Sequence, residues 1–155
     1  MKINKGDKAP DFTLKNTESE DVTLSSFQGE SNVVILFFPL AFSSVCTEEL
    51  CAVRDDIKKF ESLKTQVLSI SIDSFFTLKE FKKAQNLNFP LLSDFNKTTA
   101  TAYGALYDEF FGMKGVAKRS AFVVDKKGVV QYAEVLEKAS DIPDFEAIKT
   151  TLSSL

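Results

Sequence analysis

The chain has 155 residues, a net charge of −3, 15 phenylalanines and 44% hydrophobic residues. This length predicts a single domain over residues 1–155 that buries a core without a disulfide or a metal. Its lysines are scattered and its apolar runs are far shorter than the ~18 residues of a membrane span, so neither nucleic-acid binding nor membrane insertion is expected.

Hydrophobic periodicity predicts strands and helices along the whole chain. The run Val33–Phe38 is continuously apolar, which is typical of a central strand buried on both faces. Pro39 ends it because proline donates no ladder hydrogen bond. Beyond it, Leu50, Val53 and Ile57 fall on one face of a helix. The predicted elements are strands at 11–14, 22–24 and 33–38, a helix at 44–63, a strand at 67–72, a helix at 75–87, a strand at 89–92, a helix at 98–103, a loop at 104–117, strands at 119–125 and 129–135, and a helix from 141 to 152.

The order of these elements predicts the architecture. The strand–helix–strand unit across residues 33–72 implies parallel central strands, and the late hairpin across residues 119–135 implies an antiparallel edge. We therefore expect an α/β chain with a thioredoxin-like fold, in which a mixed central β-sheet carries helices on both faces. Such a fold hosts many activities, so function has to be argued from particular side chains.

Missing residue types exclude several kinds of chemistry. The chain has no histidine, which removes the commonest general base and the commonest zinc ligand. Its two cysteines cannot complete a four-sulfur zinc site, so neither a metal nor a cofactor is expected. The N-terminus MKINKGDKAPDF lacks the apolar segment of a secretory signal. We therefore expect a cytoplasmic protein, in which a cysteine pair is more often catalytic or redox-sensing than structural.

Cys46 follows the central strand and falls in the predicted first turn of the long helix. Ser43 and Ser44 are candidate N-caps of that helix. The unpaired N–H groups and the helix dipole at such an end favour an anion, and the thiolate is the nucleophilic form of cysteine. Taken alone, Cys46 is equally well interpreted as a small buried core residue.

Cys51 lies five residues after Cys46. In a continuous helix, residues at this spacing have Cα atoms roughly 8–9 Å apart, beyond the ~7 Å limit for a disulfide. The pair can therefore bridge only if the first turns of the helix unwind. This favours a cycle in which Cys46 is oxidised to a sulfenic acid and Cys51 then attacks it. Two unrelated cysteines are the alternative, and a metal clip is a poor third because no other soft ligand exists.

Arginine is rare in this chain, and Arg119 opens an apolar strand. A guanidinium keeps its charge when desolvated and offers a planar fork of donors, which suits a place beside a thiolate; a strand-end ion pair is the equal alternative. Glu49 lies three residues after Cys46 and is either solvated or the partner that orients an arginine. Arg54, next to Asp55, is interpreted as half of a structural ion pair.

Three further residues near Cys46 have two interpretations each. Pro39 is either a strand terminator or a shield that keeps water from the nucleophile. Ser43 is either a helix cap or a hydroxyl directed at a substrate oxygen. Phe42 is either a core residue or the wall of a substrate pocket, to which the loop at 104–117 also contributes. Their joint occurrence around Cys46 favours the functional interpretation.

These residues resemble the active-site pattern of the peroxiredoxins, Pro-x-x-x-Thr/Ser-x-x-Cys. The pattern stands here as PLAFSSVC, from Pro39 to Cys46, with Ser43 in place of the commoner threonine. The FFPLAF stretch resembles the alkyl hydroperoxide reductase E type, and the spacing of Cys46 and Cys51 resembles the peroxiredoxin Q (bacterioferritin comigratory protein) type. Segments similar to the family occur in order over nearly the whole chain: GDKAPDFTL, VVILFFPLAF, CTEELCAVRD, ISIDS and GVAKRSAFVVDKKGVV.

The resemblance implies a role for each candidate site residue. Cys46 would be the peroxidatic thiolate that attacks the O–O bond, and Cys51 would be the resolving cysteine. Arg119 would stabilise the thiolate and the charge that develops on the peroxide. The remaining implied site residues are Pro39, which covers the thiol, Ser43, which hydrogen-bonds the thiolate or the peroxide oxygen, and Glu49, which orients the arginine.

The resemblance thus implies a thiol-dependent peroxidase, an antioxidant oxidoreductase that reduces hydrogen peroxide and organic hydroperoxides. A thioredoxin-like or glutaredoxin-like dithiol would reduce the Cys46–Cys51 disulfide, and a homodimer is expected. The first alternative is a one-cysteine peroxidase that an external thiol recycles. A thioredoxin-like disulfide reductase is disfavoured because no C-x-x-C spacing occurs, and a redox sensor or binding module on the same fold is the last alternative.

Overall fold

The main feature of the structure is a seven-stranded sheet, accompanied by a separate two-stranded ribbon. The computed structural model describes residues 2–155. Within that range the strands are β1 (Thr13–Asn16), β2 (Asp21–Thr23), β3 (Asn32–Phe37), β4 (Thr65–Ser71), β5 (Leu91–Ser93), β6 (Leu106–Tyr107), β7 (Val116–Ala117), β8 (Ser120–Val124) and β9 (Val130–Val135). The helices are α1 (Ser44–Asp55), α2 (Ile57–Ser62), α3 (Phe75–Ala84), α4 (Thr98–Ala102) and α5 (Phe145–Ser153), and a 3₁₀ turn covers Leu24–Phe27.

The strand order β2-β1-β5-β4-β3-β8-β9 makes neighbours of strands that are distant in the sequence, such as β3 and β8. Strands β3, β4 and β5 run parallel to one another, and β8 and β9 form an antiparallel pair that ends the sheet, so the predicted mixed sheet is confirmed. Strand β8 also runs antiparallel to β3, with Phe37 opposite Ser120. The start of β8 therefore lies beside the end of β3, just before α1 begins.

Both faces of the sheet are covered, and all six residues of β3 are buried. Ile35 and Phe37 pack with Tyr103 in one apolar cluster, on the side of α4. Val34 and Leu36 belong to the opposite cluster, to which α1, α2, α3 and α5 contribute. Helices thus lie on both faces as predicted, although four of the five share one face. Across residues 2–155, no helix combines the length and the apolarity needed to cross a bilayer.

The prediction of one helix over 44–63 is wrong at a single residue, Asp56. Its backbone (φ −113°, ψ 11°) leaves the helical region, so that α1 and α2 are separate. The Asp56 N–H donates to the Val53 carbonyl (3.1 Å) in a tighter turn. Aspartate is a poor helix former, and the Asp56 carboxylate pairs with Lys149 of α5, which stabilises the break.

The predicted loop at 104–117 is wrong for the residues that form β6 and β7. These strands pair antiparallel, with Leu106 opposite Ala117 and Tyr107 opposite Val116. Strands of two residues are too short to show an alternating pattern, so only the glycines were visible in the sequence. Other boundaries shift by a few residues; the first strand, predicted at 11–14, spans Thr13–Asn16.

Candidate active site

Cys46 lies at the junction of β3 and α1. The chain leaves β3, passes the buried Pro39 and enters α1, where Cys46 is the third helical residue and is fully buried. The first intrahelical bond runs from the Thr47 N–H to the Ser43 carbonyl (2.9 Å). The N–H groups before it have no acceptor within the helix, so this first turn is an environment that favours negative charge.

Arg119 connects the side chains of the site. It immediately precedes β8, and only 1% of its surface is exposed. Its Nη2 donates to Cys46 Sγ (3.2 Å) and its Nη1 donates to Glu49 Oε1 (2.6 Å). Its Nε donates to the Ala139 carbonyl (3.0 Å). Because each of the three nitrogens has a partner, the guanidinium is held in one orientation against the sulfur.

Burial sets the ionisation of the groups around this guanidinium. Complete burial raises the pKa of Glu49 to about 7, and the charge and hydrogen bond of Arg119 oppose that rise only in part. Glu49 Oε2 is buried and has no hydrogen-bond partner among residues 2–155. Burial acts to lower the pKa of Arg119, but the charges of Glu49 and Cys46 outweigh it and raise that pKa. One permanent cation thus contacts both the Glu49 carboxyl and the Cys46 sulfur.

Ser43 and Phe42 are oriented differently from their sequence-based interpretations. Ser43 is the residue before α1, but its hydroxyl donates to the Leu40 carbonyl (2.8 Å) instead of capping the helix. Its oxygen keeps lone pairs for another donor. Phe42 has a left-handed backbone (φ 69°), is 54% exposed and packs against Phe81 of α3 (ring centroids 5.1 Å apart). Phe42 is thus neither a core residue nor part of the cavity described next.

A cavity of about 500 Å³ opens onto Arg119. The start of α1, at residues 43–45, forms one wall, and residues 137–140 form another. The third wall is aromatic and consists of Tyr107, Phe110 and Phe111, from the segment predicted as a loop. The Tyr107 and Phe110 rings stack with centroids 5.6 Å apart. The cavity therefore places apolar surface next to the cation that contacts Cys46.

Asp73 is a residue of the site that sequence reasoning missed. Its Oδ2 accepts hydrogen bonds from the Ala41 N–H (2.8 Å) and from the Ser71 hydroxyl (2.6 Å). The carboxylate thereby ties the loop that contains Pro39 to the end of β4. The only sequence signal is the segment ISIDS, whose family resemblance does not reveal the contacts of the carboxylate.

Cys51 lies on the same helix as Cys46 but has different neighbours. Both cysteines are free thiols, and α1 is continuous between them. Their Cα atoms are therefore roughly 8–9 Å apart, too far for a disulfide in the intact helix. Cys51 is half-buried, and its Sγ donates to Gln85 Oε1 (3.5 Å). The predicted ion pair between Arg54 and Asp55 is present (2.9 Å).

The sequence of the chain is similar to those of known proteins. Residues 5–133 match the model of the AhpC/TSA family. Alkyl hydroperoxide reductase E of Mycobacterium tuberculosis is 38% identical over 135 residues, which cover 86% of each chain. Chloroplastic peroxiredoxin Q of Oryza sativa subsp. japonica is 40% identical over 131 residues, which cover 84% of this chain and 58% of that protein. The resemblance to these two types that the sequence suggested is confirmed.

The fold has solved counterparts as well. The crystal structure of peroxidoxin BcpB from Mycobacterium tuberculosis matches with a TM-score of 0.88 and 28% identity, and the match covers 99% of this chain and 98% of that one. A reduced 2-Cys peroxiredoxin from Plasmodium vivax matches with a TM-score of 0.86 and 27% identity, covering 96% of this chain and 80% of that one. The predicted thioredoxin-like architecture is thereby confirmed.

Proposed function

The chain belongs to the AhpC/TSA family, and we propose that Cys46 is the nucleophile of the thiol-dependent peroxidase activity that this peroxiredoxin membership gives it. One observation carries the proposal: Arg119 Nη2 contacts Cys46 Sγ at 3.2 Å, inside a buried cluster that Glu49 completes. A guanidinium in this position stabilises a thiolate, and the same Arg119 lines the neighbouring cavity.

The reaction transfers one oxygen from the peroxide to sulfur. The Cys46 thiolate attacks the terminal oxygen of the hydroperoxide, an S–O bond forms, and the O–O bond breaks. The leaving oxygen takes a proton and departs as water or an alcohol, while Cys46 becomes a sulfenic acid. Negative charge moves from sulfur to the leaving oxygen during this step. Arg119 and the N–H groups at the start of α1 stabilise that charge, and no metal or cofactor is required.

The surrounding residues support this chemistry. Glu49 keeps the guanidinium in register with the sulfur, since its carboxylate holds Nη1 while Nη2 reaches Cys46. The Ser43 oxygen has lone pairs for the terminal O–H of a peroxide, because its own proton is donated to a backbone carbonyl. Pro39 is buried in the loop before α1, and we assign it the role of covering the thiol and keeping water from it.

We assign hydrogen peroxide and organic hydroperoxides to this site. The cavity of about 500 Å³ is larger than hydrogen peroxide requires. Its aromatic wall of Tyr107, Phe110 and Phe111 offers apolar surface on which an alkyl or aryl group gains free energy by leaving water. The hydroperoxide end of such a molecule would then face Arg119.

We propose that Cys51 resolves the sulfenic acid after local unwinding of α1, and that a thioredoxin-like or glutaredoxin-like dithiol reduces the resulting disulfide. A homodimer, a cytoplasmic location and a single domain are further parts of the proposal.

A one-cysteine peroxidase is the second candidate, and one observation favours it: the intact α1 keeps Cys46 and Cys51 too far apart to bond. In that case an external thiol would reduce the Cys46 sulfenic acid directly.

The proposed nucleophile is tested by dithiol-driven consumption of hydrogen peroxide and of cumene hydroperoxide. The wild type is expected to turn over with both peroxides. Cys46→Ser is expected to fall to the background rate of the dithiol alone, whereas Ser62→Ala, at an exposed position at the end of α2 and outside the cavity, should retain activity. Peroxide consumption by Cys46→Ser at the wild-type rate would overturn the proposal.

A further inference from the structure

Arg54 has contacts that an exposed ion pair does not explain. Its Nη1 donates to the carbonyl of Gln85, the C-cap residue that follows α3 (2.7 Å), and its Nε donates to Asp55 (2.9 Å). Its own carbonyl accepts from the Asn88 side-chain amide (3.2 Å). Both the side chain and the backbone of Arg54 are thus tied to residues 85–88, and its cation lies at the negative end of the α3 dipole.

Cys51 belongs to the same cluster. Cys51 and Arg54 lie three residues apart, which places them on neighbouring positions of one helix face. Both bond to Gln85, Cys51 through the side-chain oxygen (3.5 Å) and Arg54 through the backbone carbonyl (2.7 Å). The pKa of Arg54 is raised first by its hydrogen bond to Asp55 and also by the charge of Cys51, which agrees with this proximity.

The two halves of α1 are anchored by different contacts. The first turns are held mainly by the Arg119 contacts to Cys46 and Glu49. The later turns are held by the fully buried Leu50, by Val53, and by the bond of Arg54 to the end of α3. Unwinding of the first turns therefore leaves the later turns, with the second cysteine and its arginine, in place.

We propose that Arg54 is a positioning residue for the resolving step: its bond to Gln85 holds a guanidinium beside Cys51, where it stabilises the negative charge on the sulfur that attacks Cys46. This inference rests on the proposed role of Cys51. In the step itself, the Cys51 thiolate attacks the Cys46 sulfenic acid, an S–S bond forms as the S–O bond breaks, and the departing hydroxide takes a proton to give water. A slower step leaves the sulfenic acid open to a second peroxide.

The test follows one turnover of the full chain. Reduced protein is mixed with one equivalent of hydrogen peroxide and quenched at intervals, and intact mass separates the reduced, sulfenic and disulfide forms. Arg54→Gln keeps an N–H donor for the Gln85 carbonyl but removes the charge. It should form the sulfenic acid at the wild-type rate and convert it to the disulfide more slowly, by on the order of tenfold. Arg54→Lys restores the charge and should restore most of the rate.

The matched control is Lys58→Gln, which removes the same charge from an exposed position on α2 and should convert at the wild-type rate. Conversion of Arg54→Gln at the wild-type rate, or equal slowing of Arg54→Gln and Arg54→Lys, would overturn the proposal. Failure of the first oxidation in the wild type contradicts the peroxidase itself. A sulfenic acid that forms in the wild type but never converts removes both Cys51 and Arg54 from the resolving step.

Discussion

The two cysteines share one helix, yet their surroundings differ in burial and in the origin of the nearby cation. Cys46 is fully buried, and its arginine, Arg119, comes from the start of a distant strand and is 1% exposed. Cys51 is half-buried, and its arginine, Arg54, comes from the next turn of the same helix with 29% of its side chain exposed. The surroundings of Cys46 are thus buried and built from distant segments, whereas those of Cys51 are partly solvated and its arginine lies on the same helix.

This difference suits the two kinds of chemistry that we propose for the two cysteines. A thiol that attacks a small peroxide gains most from a fixed cation in a medium of low dielectric constant, because charge interactions there are strong. A thiol that attacks another cysteine needs only modest activation but has to remain reachable when the helix rearranges. The partly exposed Arg54 provides a screened and weaker interaction, which suits the second task.

The largest expected effect comes from Arg119→Lys. A lysine ammonium is a point charge on a flexible stem and cannot bond the sulfur, the Glu49 carboxylate and the Ala139 carbonyl at once. The rate of Cys46 oxidation, measured by competition against catalase for hydrogen peroxide, is expected to fall about a hundredfold. Arg54→Lys is the matched control and should oxidise normally. Equal losses in the two variants would erase the distinction between the two environments.

The next effect is the pH dependence of stability that the buried Glu49, in the surroundings of Cys46, contributes. The pKa of Glu49 is raised from 4.5 to about 7 by burial. Below pH 4.5 both the folded and the unfolded chain hold this proton, and between that pH and about 7 only the folded chain holds it. The contribution of Glu49 to the free energy of unfolding is therefore fully present at low pH and is lost as pH rises, by at most about 3 kcal/mol.

Denaturant unfolding at a series of pH values checks this expectation. Glu49→Gln should remove the contribution of this carboxyl to the slope of the unfolding free energy against pH between pH 4.5 and about 7. The neighbouring Glu48→Gln, at an exposed position of α1, should leave the slope as in the wild type. Identical slopes for wild type and Glu49→Gln would mean that the carboxyl does not hold its proton in the folded chain.

A third effect follows if only the first turns of α1 unwind on oxidation. Amide hydrogen exchange at residues 47–49 is expected to accelerate about tenfold or more in the disulfide form, while residues 53–55 stay protected. The Cys51→Ser variant, oxidised only to the sulfenic acid, serves as the control and should exchange like the reduced protein. Uniform acceleration of exchange along the whole of α1 would show that the bond from Arg54 to the Gln85 carbonyl does not hold the second half of the helix in place.

The smallest expected effect concerns the cavity on the Cys46 side. Phe110→Ala removes part of the aromatic wall and should lower the preference for cumene hydroperoxide over hydrogen peroxide about threefold. The conversion of sulfenic acid to disulfide should not change, because neither Cys51 nor Arg54 lines the cavity. Phe76→Ala truncates an exposed aromatic side chain outside the cavity and is the control. A similar shift in both variants would remove the cavity from substrate selection.

The sequence predicted the junction of β3 and α1 because two strong patterns meet there. The continuous apolar run of Val33–Phe38 and the helical period through Leu50 and Val53 enclose Cys46 between them. Arg119 was recognisable because arginine is rare in the chain and this one opens a strand. Residue type and periodicity were sufficient for these features, since both are local properties.

The contacts that complete each environment were not predictable in the same way. The Ala139 carbonyl and the Gln85 carbonyl are backbone groups in irregular segments, and any residue type can supply them. The aromatic wall lies on the two-residue strand β6 and on the loop that follows it, which show no period, and the hydroxyl of Ser43 donates to Leu40 although its type suits a cap. Tertiary contacts decided these features, and one sequence does not contain them as a pattern.

The division of labour between the two cysteines is tested most directly by intact mass after reduced protein meets one equivalent of an organic hydroperoxide. We expect the wild type to lose two hydrogens within one chain, and Cys51→Ser to gain one oxygen that dimedone traps. Cys46→Ser should remain unchanged over the same time. A wild type that gains one oxygen and never forms the intramolecular disulfide, or a Cys46→Ser variant that oxidises as fast as the wild type, would contradict this account.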